Sequence, residues 1–460
     1  MKKSYEMDMC NGPVLKKMLI FTLPLIFSSN LQLLFNAADI VVIGKFAGDN
    51  SMGAVGANTA LINLLTNAFI GLSVGANVLA SRKYGAKKYD ELKKTVHTAM
   101  ALSVISGIFL TIIGCIFAPV FLEWMMTPED IIGLASVYLR ILFLGMPAMM
   151  VYNFGAAILR SIGDTKRPLY FLMISGVLNV LLNLLFVIVF KMDVAGVALA
   201  TICSQYLSAF LVVRCMIKEK GPINLVLKDL RVHREQLFGI LRVGFPAGCQ
   251  GVIFALSNVV IQSSINSFGK ICVSGNAAAQ SIEGFIYISM NSFYQAAISF
   301  TSQNVGAGRY DRIKKITASA LVSVIITGVV LGWTAYLMGD KLMAIYTDSN
   351  EVIIAGLGRM RVIATTYALC GVMDVLVGIL RGLGYSVIPM IVSLIGACGL
   401  RLLWLGTVFK MEQFHTEFNV YVSYPISWIV TILAHVITLL IIAKKIKKSL
   451  AENKVLLGND

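Results

Sequence analysis

Three carboxylates lie inside long apolar stretches of the sequence: Asp39, Glu283 and Asp374. If these stretches cross a lipid bilayer, a charged side chain near the bilayer centre costs at least ~2.5–3.5 kcal/mol. Such a residue is therefore expected to have a function, because a carboxylate can take up a proton, coordinate a sodium ion or attract a cationic ligand. The three residues are the first candidates for a site that handles cations.

Asp39 follows two other polar residues at the spacing of one helical face. Gln32, Asn36 and Asp39 lie at positions i, i+4 and i+7, which places them on the same side of an α-helix. A polar stripe inside an apolar run is typical of a helix that lines a water-filled cavity, so Gln32 and Asn36 are candidates for the wall of a substrate cavity. The alternative is that the Asp39 carboxylate caps or pairs with a neighbouring helix.

Two asparagines, Asn179 and Asn183, lie one helical turn apart in a later apolar run. Their side chains could hydrogen-bond Asp39 or offer amide oxygens to a sodium ion, and Asn153 from the preceding run could join them. The alternative is that they form ordinary hydrogen bonds between membrane helices. The candidate ion-coupling residues are therefore Asp39, Asn153, Asn179 and Asn183.

The second half of the chain offers a different set of charged and polar residues. Gln280 lies about one turn before Glu283, and Asp374 lies in a later run. We expect these residues to form a second ion site or part of the substrate cavity. The alternative is that either acid pairs with Arg401, which lies in the run after Asp374.

The composition indicates which elements must hold these residues. The chain has 460 residues, 57% of them hydrophobic and 14% charged, with a mean hydropathy of +0.79. A soluble globular domain is less apolar than this, and a helix needs about 20 apolar residues to cross a bilayer. The sequence contains twelve such runs, at about 15–43, 54–80, 95–119, 132–158, 168–190, 194–216, 237–267, 273–300, 316–338, 352–380, 386–409 and 421–443. Runs of this length favour helices over barrel strands, so the predicted fold class is an all-α integral membrane protein with twelve transmembrane helices.

The basic residues are concentrated in the even-numbered loops, and this orients the helices. The loops after the odd-numbered runs carry one basic residue or none, whereas the loop after the second run carries Arg82, Lys83, Lys87, Lys88, Lys93 and Lys94. Because loops rich in Lys and Arg stay in the cytoplasm, we expect a cell-membrane protein with both termini cytoplasmic. Most of the net charge of +15 then lies on the cytoplasmic side of the membrane. Because basic residues beside apolar spans need no nucleic acid to explain them, we expect no nucleic-acid partner.

Two polar stretches nearly repeat each other: "SRKYGAKKYDELKK", from Ser81, and "SQNVGAGRYDRIKK", from Ser302. The same offset of 221 residues relates "ILRSIG", from Ile158, to "ILRGLG", from Ile379. A constant offset between polar loops indicates a duplicated unit, here of six helices. Because six is even, both copies enter the membrane in the same orientation, as in transporters whose substrate site lies between parallel repeats.

The repeat sets the predicted domain organisation. We expect two pseudo-symmetric six-helix bundles, joined by a cytoplasmic linker and followed by a cytoplasmic tail. Their predicted bounds are 1–216 for the N-terminal bundle, 217–236 for the linker, 237–443 for the C-terminal bundle and 444–460 for the tail.

Two single stretches, "LFNAADIVVIG" and "LNVLLNLLFV", accompany two paired ones: the repeated loops, and "ILRSIGDTKRP" with "ILRGLGYSVIP". With the two six-helix halves, they resemble the multidrug and toxic compound extrusion family of the multidrug/oligosaccharidyl-lipid/polysaccharide flippase superfamily. The resemblance implies a cation-coupled exporter whose two bundles form a V-shaped cavity that opens alternately to either side. The implied substrates are small, amphipathic, mostly cationic organic compounds, and the implied coupling ion is a proton or a sodium ion.

The resemblance also implies roles for particular residues. Asp39 matches the aspartate of D-x-x-x-x-G in the first helix, the usual proton or sodium site of the N-terminal half. Asn183 stands where many relatives have the aspartate of Asn-x-x-x-Asp, which removes one titratable group. Other branches use a glutamate in the seventh helix and an aspartate in the tenth. Here the seventh helix has no acid, and Asp374 lies about one turn from the corresponding position.

The sequence lacks motifs of other energy sources and of enzymes. It has no G-x-x-x-x-G-K-[ST] phosphate loop and no H-E-x-x-H or Ser/His arrangement. We therefore expect an antiporter rather than an enzyme, monomeric, in contact with membrane lipid, and without a cofactor or metal beyond its coupling ion. The alternative is a lipid-linked precursor flippase, which would need a cavity lined with Arg and Lys.

Overall fold

The computed structural model describes residues 5–46, 49–125 and 127–457, and the regular elements of these residues are helical. The first half of the chain forms α1 (Val14–Phe46), α2 (Asp49–Gly85), α3 (Tyr89–Trp124), α4 (Glu129–Leu144), α5 (Met146–Ser161), α6 (Lys166–Asn183) and α7 (Asp193–Lys218). The second half forms α8 (Arg234–Asn266), α9 (Lys270–Gly306), α10 (Ile313–Leu337), α11 (Gly339–Met343), α12 (Asn350–Thr366), α13 (Ala368–Gly382), α14 (Val387–Ser393), α15 (Leu400–Gly406) and α16 (Glu417–Leu457). The predicted all-α fold is confirmed; residues 458–460 of the predicted tail lie outside the described residues.

Each of the twelve predicted apolar runs coincides with one helix or with consecutive helices that form one span. By length and apolarity, nine helices of the described chain could cross a membrane, or eleven if the bent pairs α4/α5 and α12/α13 each count as one span. The remaining predicted span is α9, which has 37 residues but is not among the apolar ones. Because lipid does not satisfy polar groups, a helix of this kind must place its polar side chains against protein or water.

The two broken spans bend at places that the repeat aligns to within one residue. α4 and α5 meet at Gly145 with a bend of 45°, and α12 and α13 meet at Tyr367 with a bend of 43°. In the first pair Pro147 lies in the first turn of α5. Because proline has no N–H, it cannot donate a helical hydrogen bond to a carbonyl of α4. The second pair has no proline there, so a proline is not required for this bend.

The two faces of α3 show how the helices fit a membrane. On one face the large apolar side chains are exposed: Ile105, Ile108, Phe109, Ile112 and Ile116. The buried face carries small residues, and a Cβ on Gly107 would lie 2.4 Å from the Cα of Pro147. Small residues at a helix interface allow the close approach by which helices associate in lipid, while hydrocarbon chains cover the exposed apolar face.

Contacts divide the chain into two compact units. Unit 1 comprises Met1–Leu256 and Ile298–Ser319, and unit 2 comprises Ser257–Ala297 and Ala320–Asp460. The predicted domains follow the sequence repeat rather than contacts, so their bounds stay a prediction.

Within unit 1, the two repeated loops begin with reciprocal contacts between helix ends. A Cβ on Gly85, the last residue of α2, would lie 2.0 Å from the carbonyl oxygen of Gln303. A Cβ on Gly306, the last residue of α9, would lie 2.0 Å from the carbonyl oxygen of Arg82. The offset of 221 residues relates Gly85 to Gly306 and Arg82 to Gln303, so each contact is the counterpart of the other. The duplicated sequence therefore forms a local, self-complementary twofold contact.

The segment before α1 packs onto the same region of unit 1. The N–H of Met9 donates to Gln303 Oε1 at 3.4 Å, and its carbonyl accepts a hydrogen bond from Asn304 Nδ2 at 3.0 Å. The Met9 side chain is fully buried, and the N–H of Met7 donates to the carbonyl of Ile162 at 3.0 Å. These contacts tie the N-terminal segment to both copies of the repeat, which the sequence analysis did not predict.

Candidate functional site

A buried carboxylate with uncharged partners forms the centre of the candidate site in unit 1. Asp39, on α1, is 8% exposed. Its Oδ1 accepts a hydrogen bond from Asn183 Nδ2 of α6 at 2.5 Å, and its Oδ2 accepts one from Thr201 Oγ1 of α7 at 3.4 Å. Asn179 bonds both donors, through its Oδ1 to Asn183 at 3.3 Å and through its Nδ2 to Thr201 at 3.4 Å. We call these four residues the Asp39 network.

The local backbone brings α1 and α6 close enough for these bonds. A Cβ on Gly176 would lie 1.8 Å from the ring of Phe35, so the absence of a side chain at Gly176 lets the α1 ring pack against α6. Directly after Asn183, the chain continues as a π-helical segment, Leu184–Val189. Such segments shift the side chains that follow them around the helix and are frequent at functional sites.

A cavity of about 100 Å³ adjoins the Asp39 network in unit 1. Its lining includes most of the polar residues that the sequence analysis selected in this half: Gln32, Asn36, Asp39, Asn153 and Asn179. About 10–15 Å³ of such space holds one water molecule, so the cavity can hold several waters or a hydrated ion. Among the described residues, Asn153 hydrogen-bonds only the carbonyl of Met149 in its own helix, at 2.9 Å, so it lines the cavity without joining the network.

The Asp39 network has the composition of a site for a hard monovalent cation. Carboxylate, amide and hydroxyl oxygens are the ligands that such cations prefer. Asn183 Oδ1 is buried and has no hydrogen-bond partner among the described residues. It is therefore an acceptor that a bound cation, or a proton carried by Asp39, could satisfy. Thr201 was not predicted from the sequence because a threonine in an apolar run does not stand out from its apolar neighbours.

Unit 2 contains a buried ion pair rather than an isolated acid. Glu283, on α9, is 2% exposed. Arg359 of α12 donates from Nη2 to Glu283 Oε2 at 2.7 Å and from Nε to Oε1 at 3.1 Å, so the pair is bidentate. The third donor of Arg359, Nη1, bonds Asn276 Oδ1 at 2.8 Å. The expected alternative that Glu283 pairs with Arg401 is wrong, because Arg359 occupies the carboxylate.

Two further expectations about unit 2 change with the structure. Gln280 is exposed, and the amide that joins the Glu283 ion pair is Asn276, which lies two turns before the acid. Asp374 is half-buried on α13, and its polar neighbours are the hydroxyl of Tyr287 and the guanidinium of Arg381. Glu283 and Asp374 therefore have different partners and do not form one shared acidic site.

The sequence could have indicated that Glu283 needs a basic partner, but not that this partner is Arg359. Arg361, which the offset of 221 residues aligns with Arg140, is exposed, whereas Arg359 is buried. A carboxylate deep in an apolar run needs a partner of opposite charge on a facing helix, and in this chain that partner is Arg359.

Comparison with known proteins identifies the family. A family model described as MatE matches residues 24–185 and 246–404. The chain belongs to the MatE family. The two matched segments of this MatE protein begin at Pro24 and Pro246, which the internal repeat aligns after a slip of one residue.

Similar proteins and structures agree with this assignment. The probable multidrug resistance protein YoeA of Bacillus subtilis (strain 168) is 27% identical over 430 residues, which cover 91% of this MatE chain and 92% of that protein. The probable multidrug resistance protein YpnP of the same strain is 29% identical over 394 residues, covering 86% and 88%. A solved outward-facing conformation of a multidrug resistance MATE family transporter of the MOP superfamily matches with a TM-score of 0.90 at 19% identity, covering 97% of this chain and 100% of that one. This last likeness shows that the chain has the MATE transporter fold.

Proposed function

We propose that this MatE protein exports amphipathic, mostly cationic organic compounds in exchange for protons or sodium ions by alternating access. Family membership supports transport, and the relatives YoeA and YpnP are described as probable multidrug resistance proteins. The observation that carries the ion-coupling part is the Asp39 network, a buried carboxylate contacted by uncharged side chains.

An exchangeable cation needs a site that is stable both empty and loaded. The donors of Asn183 and Thr201 stabilise the empty carboxylate, since hydrogen bonds to a charged group are worth about 1.5–3 kcal/mol. The carboxylate and the unpartnered Asn183 Oδ1 provide oxygens for the loaded state. An arginine in place of these donors would neutralise Asp39 permanently and leave no reason to bind a cation.

The size of the unit 1 cavity separates coupling from substrate binding. A drug-sized ligand occupies a pocket of roughly 300–1,000 Å³, whereas the cavity beside Asp39 measures about 100 Å³. We therefore assign Gln32, Asn36 and Asn153 to the hydrated surroundings of the ion. If Asp39 is loaded in one conformation and empty in the other, one charge moved through the membrane field contributes ~2.3 kcal/mol per 100 mV. This is enough to bias a two-state equilibrium.

The alternative of a lipid-linked precursor flippase predicts a cavity lined with basic residues for phosphate groups. The lining of the cavity beside Asp39 contains no Lys or Arg among the described residues. This favours cation handling in unit 1 over recognition of a phosphorylated lipid.

Transport by the purified protein in proteoliposomes tests the proposal. A fluorescent organic cation is offered under an imposed pH gradient or an imposed sodium gradient, each alone, and uptake against its own gradient is measured. We expect one of the two gradients to drive uptake of the dye, and the gradient that does so identifies the coupling ion. Failure of both gradients, together with rescue of a flippase-deficient strain, would favour the flippase alternative.

A further inference from the structure

The predicted linker is docked on the first turns of α3 in unit 1. The N–H of Val226 donates to His97 Nε2 at 3.1 Å, and the N–H of His233 donates to Thr98 Oγ1 at 3.1 Å. The side chains of His97 and Thr98 are buried. The segment of chain between these two contacts is therefore held at a fixed height along α3.

The length of α3 relates this height to the membrane. Thr98 lies 26 positions before Trp124, the exposed last residue of α3, which is about 39 Å at 1.5 Å per residue. The exposed apolar face of α3 lies between the two residues. A bilayer with its headgroup regions is about 40–45 Å thick, and tryptophan is enriched at both of its interfaces. With Trp124 at one interface, the docked linker lies among the lipid headgroups of the other, which the loop charges predict to be cytoplasmic.

The docked segment exposes apolar and basic side chains together. Leu227, Leu230 and Val232 are 60%, 37% and 40% exposed. This segment and the start of α3 also carry two exposed acids and five exposed basic residues: Asp229, Glu235, Lys93, Lys94, Lys228, Arg231 and Arg234. We call these ten residues the linker surface. Because the basic residues outnumber the acids, the linker surface has a net positive charge.

The apolar part of the linker surface continues onto α8. The guanidinium of Arg234 lies over the ring of Phe238, 5.7 Å from its centroid, and Phe238 and Phe245 are 59% and 64% exposed. These two rings are seven positions apart and share one face of the helix. An arginine that packs along an apolar surface and extends its charge towards water is typical of a membrane interface. The linker surface is therefore continuous with a face of α8 that suits contact with lipid.

We propose that the linker surface binds anionic phospholipids of the cytoplasmic leaflet. Its basic side chains contact the phosphate groups, and Leu227, Leu230 and Val232 insert between the headgroups. Clusters of basic residues beside a membrane span are attracted to anionic lipids. A soluble anion would leave the apolar side chains in water, and a neutral lipid would leave the charges without partners. This inference concerns the membrane and goes beyond the proposed export function.

The internal repeat supplies a matched control. The offset of 221 residues relates Lys93 and Lys94 to Lys314 and Lys315, which are exposed near the start of α10. The position that matches His97 holds an alanine. The start of α10 therefore carries the same two charges as α3 but lacks the imidazole that docks the linker.

Hydrogen–deuterium exchange of the full-length protein in lipid nanodiscs tests the inference. Exchange of residues 227–232 is compared between nanodiscs of phosphatidylcholine and nanodiscs of phosphatidylcholine mixed with phosphatidylglycerol. We expect phosphatidylglycerol to slow this exchange in the wild type by at least about ten-fold, equivalent to ~1.4 kcal/mol. Lys94→Gln/Lys228→Gln and Leu227→Ser/Leu230→Ser should each lose most of the slowing. The control Lys314→Gln/Lys315→Gln removes the same charge and should match the wild type within about two-fold.

The outcomes separate a lipid site from general attraction between charges. Equal exchange in the two kinds of nanodisc would overturn the inference, and so would an equal loss of slowing in Lys94→Gln/Lys228→Gln and the control. Slowing by inorganic phosphate in phosphatidylcholine nanodiscs would assign the surface to a soluble anion instead. Exchange of the buried helix α13 shows that each variant is folded.

The wild type alone provides a second measurement. Because salt screens charges at a surface, the slowing by phosphatidylglycerol should decrease as the salt concentration rises. Slowing that is independent of salt would also overturn the inference. Each of these outcomes leaves the proposed export function unchanged.

Discussion

Asp39 in unit 1 and Glu283 in unit 2 are both buried carboxylates on helices of a membrane protein, but their partners differ in charge. Asp39 accepts hydrogen bonds from an amide and a hydroxyl, whereas Glu283 accepts two from Nε and Nη2 of Arg359. A carboxylate with neutral donors keeps its negative charge available to a visiting cation. A carboxylate in a bidentate ion pair does not, because a cation would have to displace the arginine. The contrast predicts that Asp39 acts in coupling and Glu283 in structure.

The same contrast extends to the basic residues of the two regions. The cavity beside Asp39 has no basic lining residue among those described, whereas unit 2 contains three buried arginines, Arg359, Arg381 and Arg401. Both regions place a π-helical segment next to a buried polar residue: Leu184–Val189 follows Asn183, and Leu394–Gly399 precedes Arg401. The two regions therefore differ in the charge of the side chains that they bury, although they come from a duplicated sequence.

The largest effect is expected from Asp39→Asn. Asparagine is nearly isosteric with aspartate but cannot change charge, so gradient-driven efflux should be abolished while expression and some substrate binding remain. Efflux from proteoliposomes, binding to purified protein and expression are measured together. Asp130→Asn, at an exposed acid in the first turn of α4, is the matched control and should behave as the wild type. Coupled efflux at the wild-type rate in Asp39→Asn would refute the role of Asp39.

The second effect concerns stability in unit 2. Arg359→Gln leaves Glu283 buried without its cation, which should lower the free energy of unfolding by ~3–5 kcal/mol. The double variant Glu283→Gln/Arg359→Gln removes both charges and should recover a large part of this loss. The free energies of unfolding of the purified variants, from denaturant or thermal unfolding, form a double-mutant cycle that gives the coupling between the two residues. A double variant that is no more stable than Arg359→Gln would show that the pair does not act as a unit.

The third effect sharpens the account of the Asp39 network and identifies the ion. Asn183→Leu removes the donor that stabilises the empty carboxylate and the oxygen that could contact sodium. The half-saturating cation concentration for transport should fall if the ion is a proton and rise if it is sodium. In either case the change should be about ten-fold or more, since a hydrogen bond to a charge is worth ~1.5–3 kcal/mol. Asn153→Leu, at a residue that among those described hydrogen-bonds only its own helix, should change it less. An unchanged concentration in Asn183→Leu would remove Asn183 from the site.

The arrangement of helices could be predicted because the thickness of the bilayer sets the length of a transmembrane helix. Runs of about 20 apolar residues mark spans, and each predicted run coincides with helical structure. The bend at Tyr367 could not be predicted, because no proline marks it and its cause lies in three-dimensional context. The burial of Met9 was missed for a similar reason, since a short polar segment has no periodicity from which packing can be inferred.

The residues of the candidate site could be predicted where a polar side chain lies inside an apolar run. Asp39, Asn179 and Asn183 are conspicuous in apolar runs, and hydrogen bonds connect them. Arg359 was missed because pairing across helices depends on which face of α12 turns inward, and the sequence does not distinguish it from Arg361, which is exposed. The roles of the site residues stay predictions, since geometry shows which atoms can meet a cation and not that they do.

The smallest effect is expected where the two halves are alike rather than different. Gly85 and Gly306 end α2 and α9, and a Cβ at either would lie 2.0 Å from a carbonyl oxygen of the opposite helix. Backbone cannot move aside as a flexible side chain can, so Gly85→Ala and Gly306→Ala should each lower the free energy of unfolding by ~1–3 kcal/mol.

The controls for this pair are two helical glycines that have open space around their Cβ positions. At Gly133 and Gly358 no heavy atom lies within 4 Å, so alanine there should stabilise the helix by roughly 0.5–1 kcal/mol. Unfolding of all four variants is measured under the same conditions. Because the offset of 221 residues relates the two contacts, Gly85→Ala and Gly306→Ala should give losses that agree within about 0.5 kcal/mol, the accuracy with which independent effects add. Clearly unequal losses in the free energy of unfolding would mean that the two loops are alike in sequence but not in packing. The two copies would then have diverged in their packing as well as in the charges of their buried residues.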